Sequence, residues 1–195
     1  MVADFSPLPP AAAWQLHDAH DGFEVTHLTP GPDGIRLSGT SVGVEHGLAW
    51  SFRYDLEIDA DWRARRGSIR SADGGRLTLA SDAPGQWLVD GVHDPALDGC
   101  LDIDLEGSAL TNTAPVHRLG LAVDERAEAP AVYVRTNTLR VERLDQTYRR
   151  LPYDGDGFAF EYASPRFGYR ATLTFAADGL VTDYPGIAAR VAVSG

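Results

Sequence analysis

The segment SFRYDLEID, residues 51–59, alternates without a break. Phe52, Tyr54, Leu56 and Ile58 fall on one side, and Arg53, Asp55, Glu57 and Asp59 on the other. A period of two is the mark of a strand with one face buried and one in water. RLTLAS (76–81), QWLVDG (86–91), CLDIDLEGS (100–108), HRLGLAV (117–123), AVYVRTNTLRVERL (131–144), GFAFEYAS (157–164) and YRATLTFAADGLV (169–181) repeat the pattern. Asp-Gly pairs punctuate it at 33–34, 73–74, 90–91, 98–99, 156–157 and 178–179. Such pairs accept the positive φ angles of tight hairpins. Together these features predict an all-β, mainly antiparallel fold: a curved sheet forming an open barrel or β-roll. Helical signals are few, and short helices are expected at most, near Leu144–Arg150 or Gly186–Ala189.

With 195 residues, 44% of them hydrophobic, the chain can bury a sizeable core. Residues 1–13 are rich in Pro and Ala and read as a loose lead-in; 14–195 read as a single β-rich domain. The polar stretch Asp124–Pro130 is the weakest join within it.

Charge narrows the function. The net charge is -11, and all 17 basic residues are Arg. A nucleic-acid partner needs a basic footprint, and so does an anionic membrane surface; both are disfavoured. Arg63, Arg65 and Arg66 form one small basic cluster that could meet an anionic headgroup, although a solvated strand face also explains it. Cys100 stands alone, so no intrachain disulfide forms. No run reaches the length of a membrane span, and the N-terminus lacks the profile of a secretory signal. A cytoplasmic protein without a membrane anchor is expected.

No motif of a known catalytic class is present: no GxSxG, HExxH, P-loop, GxGxxG or cysteine pair. His17 and His20, with Asp18 and Asp21, could approach a divalent metal, but a polar turn explains them better. No metal and no cofactor is expected. The stretch GCLDIDLEGSALTNTAPVHRLGL (99–121) holds the densest polar pattern. Asp102 and Asp104 share one side of a strand, ~6.5–7 Å apart. Spacing alone places them in water, with Leu101, Ile103 and Leu105 facing the core. Ser108, Thr111, Asn112 and Thr113 then follow at once. They suit loop capping through nearby backbone groups, or hydrogen bonds to a sugar or polar headgroup. Trp62 and Trp87 offer flat apolar surfaces. With few helices to cover it, a curved sheet needs a filled interior or a ligand.

GQWLVDG (85–91) followed by LDGCLDIDLEGSALTNTAPVHRLGL (97–121) resembles the core motif of the "Putative glycolipid-binding" family of bacterial proteins, formerly a domain of unknown function. Further landmarks fall in order: Trp14 with GFE (22–24), YDLEIDADWRAR (54–65), LDQTYRRL (144–151) and GLVTDYPG (179–186). The resemblance spans Trp14 to Arg190. It departs before the TNT, at Ser108, Ala109 and Leu110, and at His117. It implies a curved antiparallel sheet like those of lipid carriers, and no reaction. It singles out Asp102, Asp104, Thr111, Asn112, Thr113, Arg118, Gln146 and Tyr148.

Three readings follow. In the first, the chain binds a glycolipid or other amphipathic ligand on the concave face of the roll. Trp62, Arg65, Trp87 and the eight family positions would contact it. In the second, it is a structural or interaction domain that forms a homodimer. In the third, it is a hydrolase-like enzyme with Asp102 and Asp104 as acid and base, which requires a buried Asp with a raised pKa. Binding ranks first and catalysis last.

Overall fold

The computed structural model describes residues 5–17, 21–83 and 85–194. Among them the strands are β1 (Ala11–Leu16), β2 (Asp21–Gly31), β3 (Gly34–Glu45), β4 (Leu48–Asp59), β5 (Ala64–Ser71), β6 (Arg76–Ala83), β7 (Gln86–Val89), β8 (Val92–His93), β9 (Asp102–Leu105), β10 (Arg126–Glu128), β11 (Ala131–Arg135), β12 (Arg140–Leu144), β13 (Thr147–Leu151), β14 (Gly157–Ser164), β15 (Tyr169–Ala176), β16 (Val181–Tyr184) and β17 (Ala188–Ser194). The one α-helix, α1, is Thr113–Leu119.

Fourteen strands form one antiparallel sheet in the order β10-β13-β14-β15-β16-β17-β1-β2-β3-β4-β5-β6-β7-β8. Apart from β10, which pairs with β13, each half is a meander of consecutive strands. The halves meet where β17 pairs with β1, so the two ends of the chain form the middle of the sheet. The indole N–H of Trp14, fully buried on β1, donates to Val181 O at 2.8 Å and ties this seam to β16. The order does not close on itself; the sheet is curved and open, as expected of a roll. A twisted sheet this wide curls, because each strand is rotated relative to the last.

Four of the Asp-Gly pairs named above join consecutive antiparallel strands: 33–34, 73–74, 90–91 and 178–179. At Asp90-Gly91 both residues have positive φ, 49° and 83°, as a two-residue hairpin between β7 and β8 requires. Asp98-Gly99 and Asp156-Gly157 lie elsewhere. The first follows a short 3-10 helix, and the second opens β14.

A second, three-stranded sheet has the order β12-β11-β9, with β9 and β11 parallel. With the segment from Ser108 to Val116 it forms a plug inside the curled sheet. Both halves of the large sheet clasp this plug. Ser108 bonds Glu24 on β2, and Ser41 on β3 donates to Gly107 O at 2.7 Å. Tyr148 on β13 bonds Asn112, and His117 Nε2 lies 3.1 Å from Asp178 O, just before β16. The face that few helices could cover is therefore covered by the middle of the chain itself.

Three local expectations are corrected. HRLGLAV is not a strand: its first residues end α1, and Gly120 caps the helix in the left-handed region at φ 53°. Pro115 fits the first turn, where backbone N–H groups have no partner inside the helix. Leu144–Arg150 is not a helix but the junction of β12 and β13, and Gly186–Ala189 is a turn entering β17.

Candidate functional site

Strand β9 divides its side chains between the two halves of the sheet. Ile103 and Leu105 are buried in the apolar core, and Ile103 packs over Gly67 of β5. Asp102 and Asp104 point the other way but do not meet bulk water. Asp102 is fully buried and Asp104 half-buried. The reading that puts both in water is corrected by the second sheet layer, which a period of two cannot reveal.

Asp102 forms a two-point ion pair with Arg118 of α1: Nε to Oδ1 at 3.2 Å, and Nη2 to Oδ2. Burial raises the Asp102 pKa, and the guanidinium opposes that rise. Asp104 accepts a hydrogen bond from Thr111 Oγ1 at 2.9 Å on Oδ1. Among the described residues its Oδ2 accepts none. Burial pushes its pKa from 3.8 to about 6; the Thr111 bond pulls it down, and the charges of Asp102 and Glu106 add to the rise. Its charge reaches four tyrosines. Tyr133 stands directly opposite on β11. Burial, and then the Asp104 charge among other causes, push the hydroxyl pKa values of Tyr133, Tyr148, Tyr162 and Tyr184 upward. Tyr162, Tyr169 and Tyr184 pack against one another at 5.7–6.0 Å between ring centroids. Tyr133 lies 5.5 Å from the exposed Phe167 ring. The result is a half-buried carboxylate packed between plug and sheet beside buried aromatic rings.

Among the remaining family positions, Tyr148 donates to Asn112 Oδ1 at 2.7 Å, and Asn112 Nδ2 reaches Ala109 O at 3.4 Å. Tyr162 donates to Gln146 Oε1 at 2.8 Å. Thr113 is fully buried, and its hydroxyl has no hydrogen-bond partner among the described residues. The family positions thus fall into the pairs Asp102–Arg118, Asp104–Thr111 and Asn112–Tyr148, with Gln146 held by Tyr162. Three other candidates stand apart. Trp87 is fully buried, with its indole N–H on Cys100 O at 2.9 Å. Trp62 stacks on His117 at 3.8 Å. Arg65 lines a shallow depression beside Pro30 and Ile35. Of its two neighbours, Arg63 pairs with Asp61 at 3.2 Å and Arg66 lies 3.6 Å from Glu57.

A second polar group lies on the other side of the plug. Glu24 is fully buried on β2. It accepts from Tyr54 Oη at 2.6 Å, from Ser108 Oγ, and from the backbone N–H groups of Ala109 and Leu110 at 2.7 and 3.3 Å. Thr26 completes the group through the Tyr54 hydroxyl. Burial raises the Glu24 pKa despite these four donors. Sequence reasoning treated Glu24 only as a landmark. A signal was present: Glu24 shares its strand parity with Thr26 and Leu28, the inward side of β2.

Among the described residues no group of three or more His, Cys, Asp or Glu side chains could hold a metal ion. Asp18 and His20 of the histidine-rich segment lie outside the described residues. No helix among the described residues is long and apolar enough to cross a membrane.

Comparison with solved structures finds the 1.80 Å crystal structure of a DUF1089 family protein from Pseudomonas aeruginosa. It is 35% identical, has a TM-score of 0.72, and is matched over 86% of this chain and 92% of that one. No curated protein matches. Residues 11–190 match the family described as "Putative glycolipid-binding", and they include both carboxylates of β9, the TNT segment and Glu24. The chain belongs to this family.

Proposed function

We propose that the protein is a non-enzymatic binder of a glycolipid-like amphiphile, held on the concave side of the roll between the plug and β13–β16. The family description supports the ligand class. One observation supports the location: among the described residues, half-buried Asp104 keeps Oδ2 free of hydrogen bonds, opposite Tyr133 on β11 and within reach of the charge effects on Tyr148, Tyr162 and Tyr184. A carboxylate with a spare acceptor among aromatic rings suits sugar hydroxyls, and the exposed Phe167 ring gives an apolar neighbour. Such a carboxylate costs the fold stability, and strongly perturbed groups of this kind concentrate at working sites. Asp102 and Arg118, paired with each other, act as supports that hold α1 against β9. The single cysteine, free and buried, fits a reducing compartment such as the cytoplasm.

A second reading, self-association, is favoured by an exposed apolar stripe. Phe23 and Val25 on β2 and Val42 and Val44 on β3 are each 41–51% exposed on the outer face.

Native mass spectrometry of protein purified without detergent, with lipid analysis of its organic extract, tests both readings. Binding predicts a retained mass of lipid size that Asp104→Asn loses. A clean apo mass, with no thermal shift across glycolipids and fatty acids, would sink the binder. A dimer mass that Phe23→Ser abolishes would then support self-association.

A further inference from the structure

The outer face of the sheet carries a row of side chains that opposes like charge to like charge. The register pairs Thr40 with Arg53, Arg53 with Arg70, and Arg70 with Arg76 across β3, β4, β5 and β6. Directly opposite residues have Cβ atoms ~4.5–5.5 Å apart, and like charges there destabilise the pair. The chain has 28 acidic residues and a net charge of -11. Even so, among the described residues none of Arg53, Arg70 and Arg76 lies within ion-pair distance of a carboxylate. The arginines next to them behave otherwise. Arg36 forks onto Asp55, with Nε 2.8 Å from Oδ1, and Arg66 lies 3.6 Å from Glu57.

Thr40, Arg53 and Arg70, with Arg36, Asp55, Glu57 and Arg66, line a trough of about 780 Å³ on the solvent side of β2–β6. Its charge is uneven along its length. The end with Arg36, Asp55, Glu57 and Arg66 is neutralised internally. The end with Arg53 and Arg70 is not, and Arg76 lies just beyond it. Among the described residues the hydroxyls of Thr40, opposite Arg53, and Ser68, one side-chain step along β5 from Arg70 and opposite Asp55, also have no hydrogen-bond partner. Guanidinium groups and hydroxyls with free donors, held on rigid strands, are what a phosphate group requires.

We infer that Arg53, Arg70 and Arg76, with Thr40 and Ser68, form a binding site for a phosphate-bearing compound. The phosphate is either that of a free small molecule or that of a lipid headgroup. Bound phosphate would relieve the repulsion along the row, so ligand and fold stabilise each other. The site is on the outer face, away from Asp104, and stands or falls separately from the binding reading above.

The test uses the full chain in a low-salt, phosphate-free buffer, since screening weakens exposed charges. Inorganic phosphate is titrated with thermal unfolding and ³¹P line width as readouts. Co-sedimentation is run with vesicles of phosphatidylcholine alone and of phosphatidylcholine with phosphatidic acid. The variants are Arg53→Gln/Arg70→Gln and, as a control outside the trough, Arg140→Gln. The double variant should unfold at the wild-type temperature or above it without phosphate, because a like-charge contact is gone. It should need about tenfold more phosphate, or more, for the same shift. Arg140→Gln should follow the wild type. A response to inorganic phosphate, lost in the double variant, identifies a free phosphate compound. Sedimentation only with phosphatidic acid vesicles, lost in the same variant, identifies a headgroup. No response in either arm, or one that the double variant retains, overturns the inference.

Discussion

Replacing Asp104 by Asn isolates the electrostatic cost of burying this carboxylate. Asn keeps the shape and can still accept the Thr111 hydrogen bond, but it carries no charge. The Asp104 pKa rises from 3.8 to about 6 on folding, chiefly through burial. Below pH 3.8 the group is protonated in both states and costs nothing. Between 3.8 and 6 folding takes up a proton, so stability falls as pH rises. Above 6 the full cost is present, a ceiling of ~3 kcal/mol. Asp104 is only half-buried, so water reduces this to ~2 kcal/mol. His117 works in the opposite sense. Burial lowers its pKa from 6.5 to about 4, so its contribution is complete above 6.5 and is lost as pH falls toward 4. That term is common to both proteins and cancels in their difference. Urea unfolding at pH 4, 5, 6 and 7.5 should therefore show Asp104→Asn more stable by ~2 kcal/mol at pH 7.5, with the gain shrinking toward pH 4. A gain that does not change with pH, or a variant less stable at pH 7.5, would refute the reasoning.

Two further predictions concern the supports. Arg118→Met leaves Asp102 buried without its partner and should cost ~3–5 kcal/mol in urea unfolding, most of it recovered in Asp102→Asn/Arg118→Met. No recovery in the double variant would show that the guanidinium stem, and not the pair, holds α1. Glu24→Ala strands two hydroxyls and two backbone N–H groups in a dry site and should cost more than ~3 kcal/mol, whereas Tyr54→Phe, which removes one donor, should cost ~1 kcal/mol. Equal losses in the two variants would contradict a network centred on the carboxylate.

The sheet was legible in the sequence because each meander strand has one apolar and one wet face, and Phe52, Tyr54, Leu56 and Ile58 are all buried as their parity requires. The plug was not. Alternation assigns two faces to β9 but cannot say what covers them, and Asp102 and Asp104 look the same whether they meet water or a second protein layer. The parallel pairing of β9 with β11 joins segments about 30 residues apart, with the TNT turn and α1 between them. Helix α1 has seven residues, too few for a 3.6-residue stripe to show. The family positions fall mainly on β9, the TNT segment and α1. The tyrosines influenced by the Asp104 charge belong to strands whose aromatic residues read simply as core.

The plug also limits how a ligand can enter. Opening the roll to admit an acyl chain would mean withdrawing the segment from Ser108 to Val116. That would break three of the four hydrogen bonds on Glu24, those from Ser108, Ala109 and Leu110, together with the Tyr148–Asn112 bond and the Thr111 bond to Asp104. It would also leave the Glu24 carboxylate with Tyr54 as its one remaining donor among the described residues. At ~1–3 kcal/mol for each buried group left unsatisfied, the total approaches the ~5–15 kcal/mol that holds a whole domain folded. Plug withdrawal is therefore close to global unfolding and cannot serve as a gate. Any ligand on the concave side must bind with the plug in place. It must then meet side chains that reach the mouth while the plug is seated, and of the acidic and TNT positions, Asp104 alone is not fully enclosed.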